Sequence, residues 1–358
     1  MTYERDIVRH MAGYVPGEQP TDSGIIKLNT NENPWPPSPR VIDALATVSA
    51  ESLRRYPSPS AAAFLAEAAT LHGVDTDQLV ATNGGDELLR LAITTFVPPG
   101  RPIGIAEPSY SLYPILAAIH DSPVHRVALD DDWSLPAGFP DELNAAGVPL
   151  TLLVNPHAPS GRLLNAAAIA RLADALEGVL LVDEAYVDFA DPDHDVVSLI
   201  AHHDNLMILR TLSKGYSLAG LRLGYGIGPA SLIQPIAAKT RDSYSVDAVA
   251  DQLGAAALAD PGTARASWAS VRRERQRLTD TLRGWGFGVP DSQANFCLAQ
   301  VPTDAHRSAA SIYAGLKHDG ILVRHFDTPR LQDQLRISVG TPAQNDALLE
   351  SLQRQLER

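Results

Sequence analysis

Cysteine is all but missing from this chain, with Cys297 standing alone among 358 residues. That excludes an intramolecular disulfide and a zinc site built from thiolates, and it suits a reducing compartment. Long apolar runs are missing as well. None approaches the roughly 18 residues of a membrane span, and the charged opening MTYERDIVRH carries no apolar core of a secretory signal. Positive charge is in deficit, 29 Lys and Arg against 42 Asp and Glu, for a formal charge of −13. The long-range field therefore repels phosphate backbones and anionic lipid, which argues against a nucleic-acid or membrane partner and leaves room only for a local basic pocket. Repeats and low-complexity linkers are absent too. The expectation is a cytoplasmic globular protein that acts on small molecules.

What is present is a chain too long for one small core, which points to a large domain with a smaller one attached. Residues 1–38 form an arm rich in proline and asparagine, GYVPGEQP followed by LNTNENPWPPSP, with little periodicity and the character of a segment that lies on another surface. Across residues 39–262, helix-like stretches (VIDALATV, SAAAFLAEAATLHG, DELLRLAITTFV) alternate with short apolar strands (LVAT, PIGIA, VHRVAL, LTLLV, GVLLVDE, NLMILRTL, RLGYGIG). That alternation predicts βαβ units and an α/β fold with a mainly parallel, doubly wound sheet. Residues 263–358 read as a smaller α+β domain. The basic helix ARASWASVRRERQRLTDTLRGWG leads into the strand NFCLAQ, the helix SAASIYAGLKHDG, the strands ILVRHF and LRISVG, and the helix NDALLESLQRQLE.

In a doubly wound sheet ligands bind outside the carboxyl ends of the strands, so polar residues there are the ones to question. LVAT is followed by Asn83-Gly84-Gly85-Asp86, GVLLV by Asp183-Glu184-Ala185-Tyr186, NLMILRT by Ser213-Lys214, and LTLLV by the loop VNPHAPSG, residues 154–161. Lysine is scarce, with only Lys27, Lys214, Lys239 and Lys317. Arginine stays protonated and cannot form a Schiff base, so a rare lysine kept at a strand end invites a covalent role. Asp183 closes an apolar strand, where a carboxylate needs a cationic partner or several donors. A pyridinium nitrogen is one such partner. A helix opening at Gly84-Gly85 offers backbone N–H groups and a positive dipole end to a phosphate, with Ser213 and Arg222 beside it. Pyridoxal phosphate carries a carbonyl, a ring nitrogen and a phosphate on one frame. GYGIG, at 224–228, competes as a dinucleotide loop, but Pro229 follows at once where that fingerprint needs a helix, so it reads better as a strand.

The segments LNTNENP (28–34), RYP (55–57), NGGDE (83–87), EPSYSLY (107–113), VDEAYVDF (182–189), RTLSK (210–214), SKGYSLAGLRLGY (213–225) and LRISVGT (335–341) run in order along nearly the whole chain. Together they resemble the class I/II aminotransferases, fold-type I pyridoxal-phosphate enzymes, in their histidinol-phosphate aminotransferase branch. Aromatic aminotransferases and threonine-phosphate decarboxylases share much of the pattern and stand as alternatives. The resemblance implies that Lys214 anchors the cofactor covalently and moves the proton at the substrate α-carbon. Asp183 would pair with the pyridinium, Tyr186 would donate to the ring O3′, and Tyr110 would stack on the ring. Gly84, Gly85, Asp86, Ser213 and Arg222 would surround the phosphate, and Tyr56 would reach it from the other subunit, which makes the enzyme a homodimer with shared sites. Arg336 would clamp a substrate carboxylate. Tyr14 and Arg324 would serve the phosphate end of histidinol phosphate, and Asn33 the region beside the site, as part of the substrate-binding set. No metal is implied.

One departure from the family lies in VNPHAPSG. Relatives carry an asparagine ahead of Pro-Thr-Gly, and its amide donates to the cofactor O3′; here the position is Ala158. A charge-assisted hydrogen bond is worth about 1.5–3 kcal/mol. Its loss would raise the pKa of the lysine–cofactor imine by roughly 1–2 units. Tyr186 is then the remaining donor, with a water or a swung-in His157 as substitutes, although neighbouring side chains of an extended segment face opposite ways. The family also implies cis peptides before Pro159 and Pro108.

Overall fold

The computed structural model describes residues 2–22, 24–302 and 306–357. Twelve strands occur among them: β1 Ile26–Lys27, β2 Leu79–Thr82, β3 Ile103–Glu107, β4 Val124–Ala128, β5 Leu150–Val154, β6 Val179–Asp183, β7 Leu206–Thr211, β8 Gly224–Ile227, β9 Phe296–Gln300, β10 Ile321–Leu322, β11 Arg324–His325 and β12 Gln334–Ser338. Seven of them form one sheet in the order β2-β8-β7-β6-β5-β3-β4. Only β8 runs against its neighbours; the other pairings are parallel. The sequence explains the order. LTLLV and LMILRT are apolar almost throughout, as strands covered on both faces must be, and they lie at the centre, whereas the polar VHRVA forms the edge strand β4.

Successive residues of the central strands feed two different cores. Leu180, Val182 and Ile208 pack on one face with Phe64 and Phe139, while Leu181, Met207 and Leu209 pack on the other with Leu88, Tyr113 and Leu152. This is the period-2 alternation of a strand used twice, once per layer of helices. GYGIG contains strand β8, as expected, but a short helix, Ala230–Pro235, starts directly after it with Pro229 at its N-cap, so the proline begins a helix there and does not exclude one. Gly224 is small by necessity, since a Cβ there would stand 2.7 Å from the backbone of both Gly84 and Gly85. That close approach lets the helix Gly85–Phe96 begin with only two residues between it and β2, its first turn beside the ends of the strands.

A third core surrounds the antiparallel sheet β11-β12-β9, with Phe287, Leu335 and Leu348 in it. The basic helix anticipated from the sequence spans Pro261–Gly284 and starts with proline in its first turn, where no N–H is needed. It turns Val271, Leu278 and Leu282 inward. Arg275, also buried, donates to the carbonyls of Phe189 and Ala294 at 2.9 and 2.8 Å, so this helix ties the loop after β6 to the approach of β9.

ILVRHF, anticipated as one strand, divides its pairing. Ile321–Leu322 runs parallel to Ile26–Lys27 of the arm, and Arg324–His325 pairs with β12 in the other sheet. The arm, expected to be irregular, thus contributes a strand, together with the helix Asp6–His10. Among the described residues no helix is long and apolar enough to cross a membrane.

Candidate active site

The carboxyl ends of β3, β5, β6 and β7, with the helix start after β2, open onto one cavity of about 740 Å³. Ser213 and Lys214 follow β7, Asp183 ends β6, and Tyr186 sits three residues on. Arg324 and Arg336 enter from the smaller sheet, where they are direct cross-strand partners on β11 and β12. Tyr14 closes one side from the arm, its ring edge-on to Tyr110 at 6.1 Å.

Asp183 is 4% exposed, and no cation lies within ion-pairing distance of it among the described residues. Tyr113 Oη donates to Oδ2 at 2.8 Å and the Ala185 N–H to Oδ1 at 3.1 Å. Burial outweighs both donors and pushes the carboxyl up to about 6. Lys214 is the opposite case. Burial, with Arg336 and Arg222 adding repulsion, brings its ammonium down to about 8, and Nζ donates to the Thr30 carbonyl at 2.9 Å.

At the helix start, Gly84 takes φ +78°, and a Cβ on it would lie 2.7 Å from Arg222 Nη2. No side chain caps this helix, so its first N–H groups are free to meet an anion. Arg222, itself left-handed at φ +55°, meets Asp86 Oδ2 at 3.2 Å, and Tyr110 Oη donates to Oδ1 at 3.3 Å. Arg336 lies between the rings of Phe296 and Phe326, 5.3 and 5.4 Å away. Its Nη2 donates to the Asn29 carbonyl at 3.1 Å, while its buried Nε has no partner. A buried guanidinium N–H left unpaired beside a cavity calls for an anionic ligand.

The family pattern of aminotransferase class I and II matches residues 23–352. The chain belongs to the class I and II aminotransferases. It is 41% identical over 351 residues to histidinol-phosphate aminotransferase 1 of Trichormus variabilis, covering 98% of each chain. It is 42% identical over 349 residues to the histidinol-phosphate aminotransferase of Synechocystis sp., covering 96% of each. The solved histidinol-phosphate aminotransferase of Sinorhizobium meliloti, in complex with pyridoxal-5'-phosphate, superposes with a TM-score of 0.90 at 24% identity, over 100% of this chain and 98% of that one. L-threonine-O-3-phosphate decarboxylase from Porphyromonas gingivalis has the same fold, with a TM-score of 0.80 at 24% identity over 93% and 100%.

As an aminotransferase of this class, the protein uses pyridoxal phosphate, and the residues present fit it. The cavity has a buried carboxylate lacking a cation, a part-buried lysine brought down to about 8 and a helix start where a Cβ at Gly84 would meet Arg222. Of the residues singled out in the sequence, Tyr14, Gly85, Asp86, Tyr110, Ala158, Asp183, Tyr186, Ser213, Lys214, Arg222, Arg324 and Arg336 all line this cavity, with Gly84 behind Arg222.

Two lie elsewhere. Tyr56 is 82% exposed and stacks on Tyr244 at 4.6 Å. Asn33 does not line the cavity: its amide donates to the Gly215 carbonyl and to Ser267 Oγ, both at 3.2 Å, which places it beside the site, next to Lys214, rather than in it. Of the asparagines in LNTNENP, Asn29 and Asn31 line the cavity, and Asn31 is the one that bonds a site side chain. It takes φ +56°, and its Nδ2 donates to Tyr186 Oη at 3.1 Å. Asn31 and Tyr113 stand inside LNTNENP and EPSYSLY, where nothing in the sequence marks their roles. Asparagine tolerates the left-handed conformation, but three asparagines in seven residues gave no way to choose among them.

Ala158 is 6% exposed and sits in the cavity wall. His157 does not swing in. Its Nε2 donates to the Pro108 carbonyl at 2.9 Å, Nδ1 accepts from Ser160 Oγ at 2.7 Å, and burial holds the ring neutral with a pKa of about 4. The peptides before Pro108 and Pro159 are cis, as expected, and so is that before Pro156.

Proposed function

We propose that this enzyme transfers an amino group between histidinol phosphate and 2-oxoglutarate, giving imidazole-acetol phosphate and glutamate, as a cytoplasmic homodimer in histidine biosynthesis. The observation that carries the reading is the pair Arg324 and Arg336, opposite each other on adjacent strands and both lining one cavity. Two anion-binding groups suit a site that must accept glutamate in one half-reaction and a phosphate ester in the other. The names of the relatives at 41 and 42% identity point the same way.

When bound, pyridoxal phosphate supplies a carbonyl that takes up the amino group and a ring that spreads the negative charge of the substrate α-carbon. Lys214 would attach it and then carry a proton at Nζ to and from that carbon. A lysine brought down to about 8 is partly neutral near physiological pH, as an attacking amine and a base must be. Asp183 would keep the ring nitrogen protonated, its own carboxylate oriented by Tyr113 and the Ala185 N–H. Tyr186 would donate to the ring oxygen and Tyr110 would cover one face.

The N–H groups of Gly85 and Asp86, with Ser213 and Arg222, would hold the phosphate, and Gly84 leaves room for Arg222. Asp86 would act through its main chain, since its carboxylate is engaged by Arg222 and Tyr110. Tyr56, exposed in the single chain, would enter the partner's site. Arg336 would take the carboxylate, with Tyr14 and Arg324 at the phosphate end. The same reading divides the chain into the arm 1–38, packed on the small domain and the partner, a cofactor domain 39–262 and a small domain 263–358.

The test is direct. Loaded enzyme given histidinol phosphate and 2-oxoglutarate should form glutamate, much faster than with phenylalanine as donor, and should release no carbon dioxide from threonine phosphate. Faster turnover of phenylalanine, or carbon dioxide from threonine phosphate, would replace this reading with an aromatic aminotransferase or a decarboxylase.

A further inference from the structure

We propose that Asn31 is a positioning residue for Tyr186, forcing the phenolic proton to point into the cavity. Asn31 is 1% exposed, and its polar groups are each committed. Its N–H donates to Ser338 Oγ at 2.9 Å, and its main-chain carbonyl accepts from Asn295 Nδ2 at 2.9 Å. Ser338 Oγ, 3.0 Å from Asn31 Oδ1, has one proton. Because Oδ1 can only accept, that proton goes to it.

Flipping the amide would exchange this bond for a second donation into Ser338 Oγ, which already accepts from the Asn31 N–H, and would leave the Ser338 proton without this partner. Nδ2 therefore faces Tyr186 Oη, 3.1 Å away. An amide nitrogen donates and does not accept, so Tyr186 Oη is the acceptor of this pair. Its own proton must go to another acceptor, and the ring lines the cavity beside Asp183 and Lys214. Phe296, edge-on at 5.1 Å and 89°, limits how far that ring can tilt.

The chain Ser338 to Asn31 to Tyr186 thus sets the direction of one proton from a residue two elements away. It matters more in this chain than it would with an amide at Ala158, because a methyl there leaves Tyr186 as the donor between the two positions. The inference rests on the reading that Tyr186 meets the phenolic oxygen of bound pyridoxal phosphate. A donor at that oxygen favours its anionic form and lowers the pH at which the visible absorbance band of the loaded enzyme changes; losing or misdirecting the donor raises it.

The experiment is a spectroscopic pH titration of the loaded enzyme, run on Asn31→Gly, which keeps the left-handed backbone, and on Ser338→Ala, each in the parent and in a Tyr186→Phe background. Tyr186→Phe should raise the midpoint by about 1 unit or more, the strength of a charge-assisted bond. Asn31→Gly and Ser338→Ala should each raise it by about half as much in the parent, and by nothing measurable once Tyr186 has lost its hydroxyl. If Tyr186→Phe moves the midpoint and neither of the other variants does, or if they move it equally in both backgrounds, Asn31 does not act through Tyr186. If Tyr186→Phe leaves it unmoved, the placement of Tyr186 at the ring oxygen fails, and the inference with it. Should Asn31→Gly fail to fold, Ser338→Ala carries the same comparison.

Discussion

Tyr113 donates a 2.8 Å hydrogen bond to Asp183 from a position with no exposure to solvent. Each group makes the other's burial tolerable: the carboxylate gains a donor, and the phenol is held in its neutral form by burial and the adjacent charge. A hydrogen bond to a charged group is worth about 1.5–3 kcal/mol. Tyr113→Phe should therefore push Asp183 above about 6 and weaken its hold on a cationic ring, raising the dissociation constant of pyridoxal phosphate about 10–100-fold. Absorbance titration of cofactor-free protein measures this, and an unchanged constant would mean that Asp183 does not face the ring nitrogen.

Asp183 also leaves a signature without the cofactor. Its folded pKa of about 6 lies above the ordinary carboxylate value near 4. The folded state then binds the proton more tightly, so its contribution to stability is complete below about pH 4 and is lost as the pH rises to about 6. Asp183→Asn removes that loss. The stability of cofactor-free Asp183→Asn relative to the parent should rise across this window by an amount on the order of 3 kcal/mol, and stay level above it. Urea unfolding of both proteins at pH 4 and pH 7 measures the change, and a constant difference would place the charge in a wetter setting than the buried strand end.

Lys214 gives the opposite dependence. With its pKa lowered to about 8, the amine is neutral above that pH and protonated below it. Covalent capture of pyridoxal phosphate by cofactor-free protein should speed up about tenfold per pH unit below 8 and level off above it. Borohydride fixation followed by peptide mass analysis should find the adduct on Lys214, and Lys214→Arg should give none. An adduct on Lys27, Lys239 or Lys317 instead would remove the assignment.

Arg336 offers a planar fork whose Nε is unmatched in the protein. A lysine would retain charge but lose paired donation. Arg336→Lys is expected to raise KM for the amino donor about 10–100-fold with kcat changed only a few-fold, as the loss of a charged bond made equally in ground and transition states should do. Steady-state kinetics with glutamate provides the check; a fall in kcat at constant KM would place Arg336 nearer the reacting carbon than the carboxylate.

Much of this was legible in the chain because strand ends announce themselves. Asn83-Gly84-Gly85, Asp183 to Tyr186 and Ser213-Lys214 each follow an apolar run, and topology carries such positions to one edge of the sheet. What the sequence could not display were relations across the fold. Tyr113 looks like any core tyrosine of a short helix until Asp183 is placed against it. Asn31 differs from Asn29 and Asn33 by its backbone conformation and by the distant Ser338 and Asn295 that hold it. ILVRHF reads as one strand because its pattern is continuous, yet its two halves answer to partners some 300 and 10 residues away, in the arm and in β12. The role proposed for Tyr56 requires a second copy of the chain, and nothing local marks it.

Ala158 is the departure that tests the electronics of the site. The structure puts its methyl in the cavity wall and removes His157 as a stand-in, since both ring nitrogens are engaged by Pro108 and Ser160. Ala158→Asn would restore an amide beside Tyr186 at the phenolic oxygen. One charge-assisted bond favours the anionic oxygen by about 1.5–3 kcal/mol, so the pH midpoint of the visible band should fall by roughly 1–2 units. The sign is opposite to that expected for Tyr186→Phe, and the two changes combined should partly cancel, because both donors act on one atom. A midpoint in Ala158→Asn that equals or exceeds the parent's would mean that this loop does not approach the ring oxygen, and that the wall formed by residues 154–161 faces another part of the ligand.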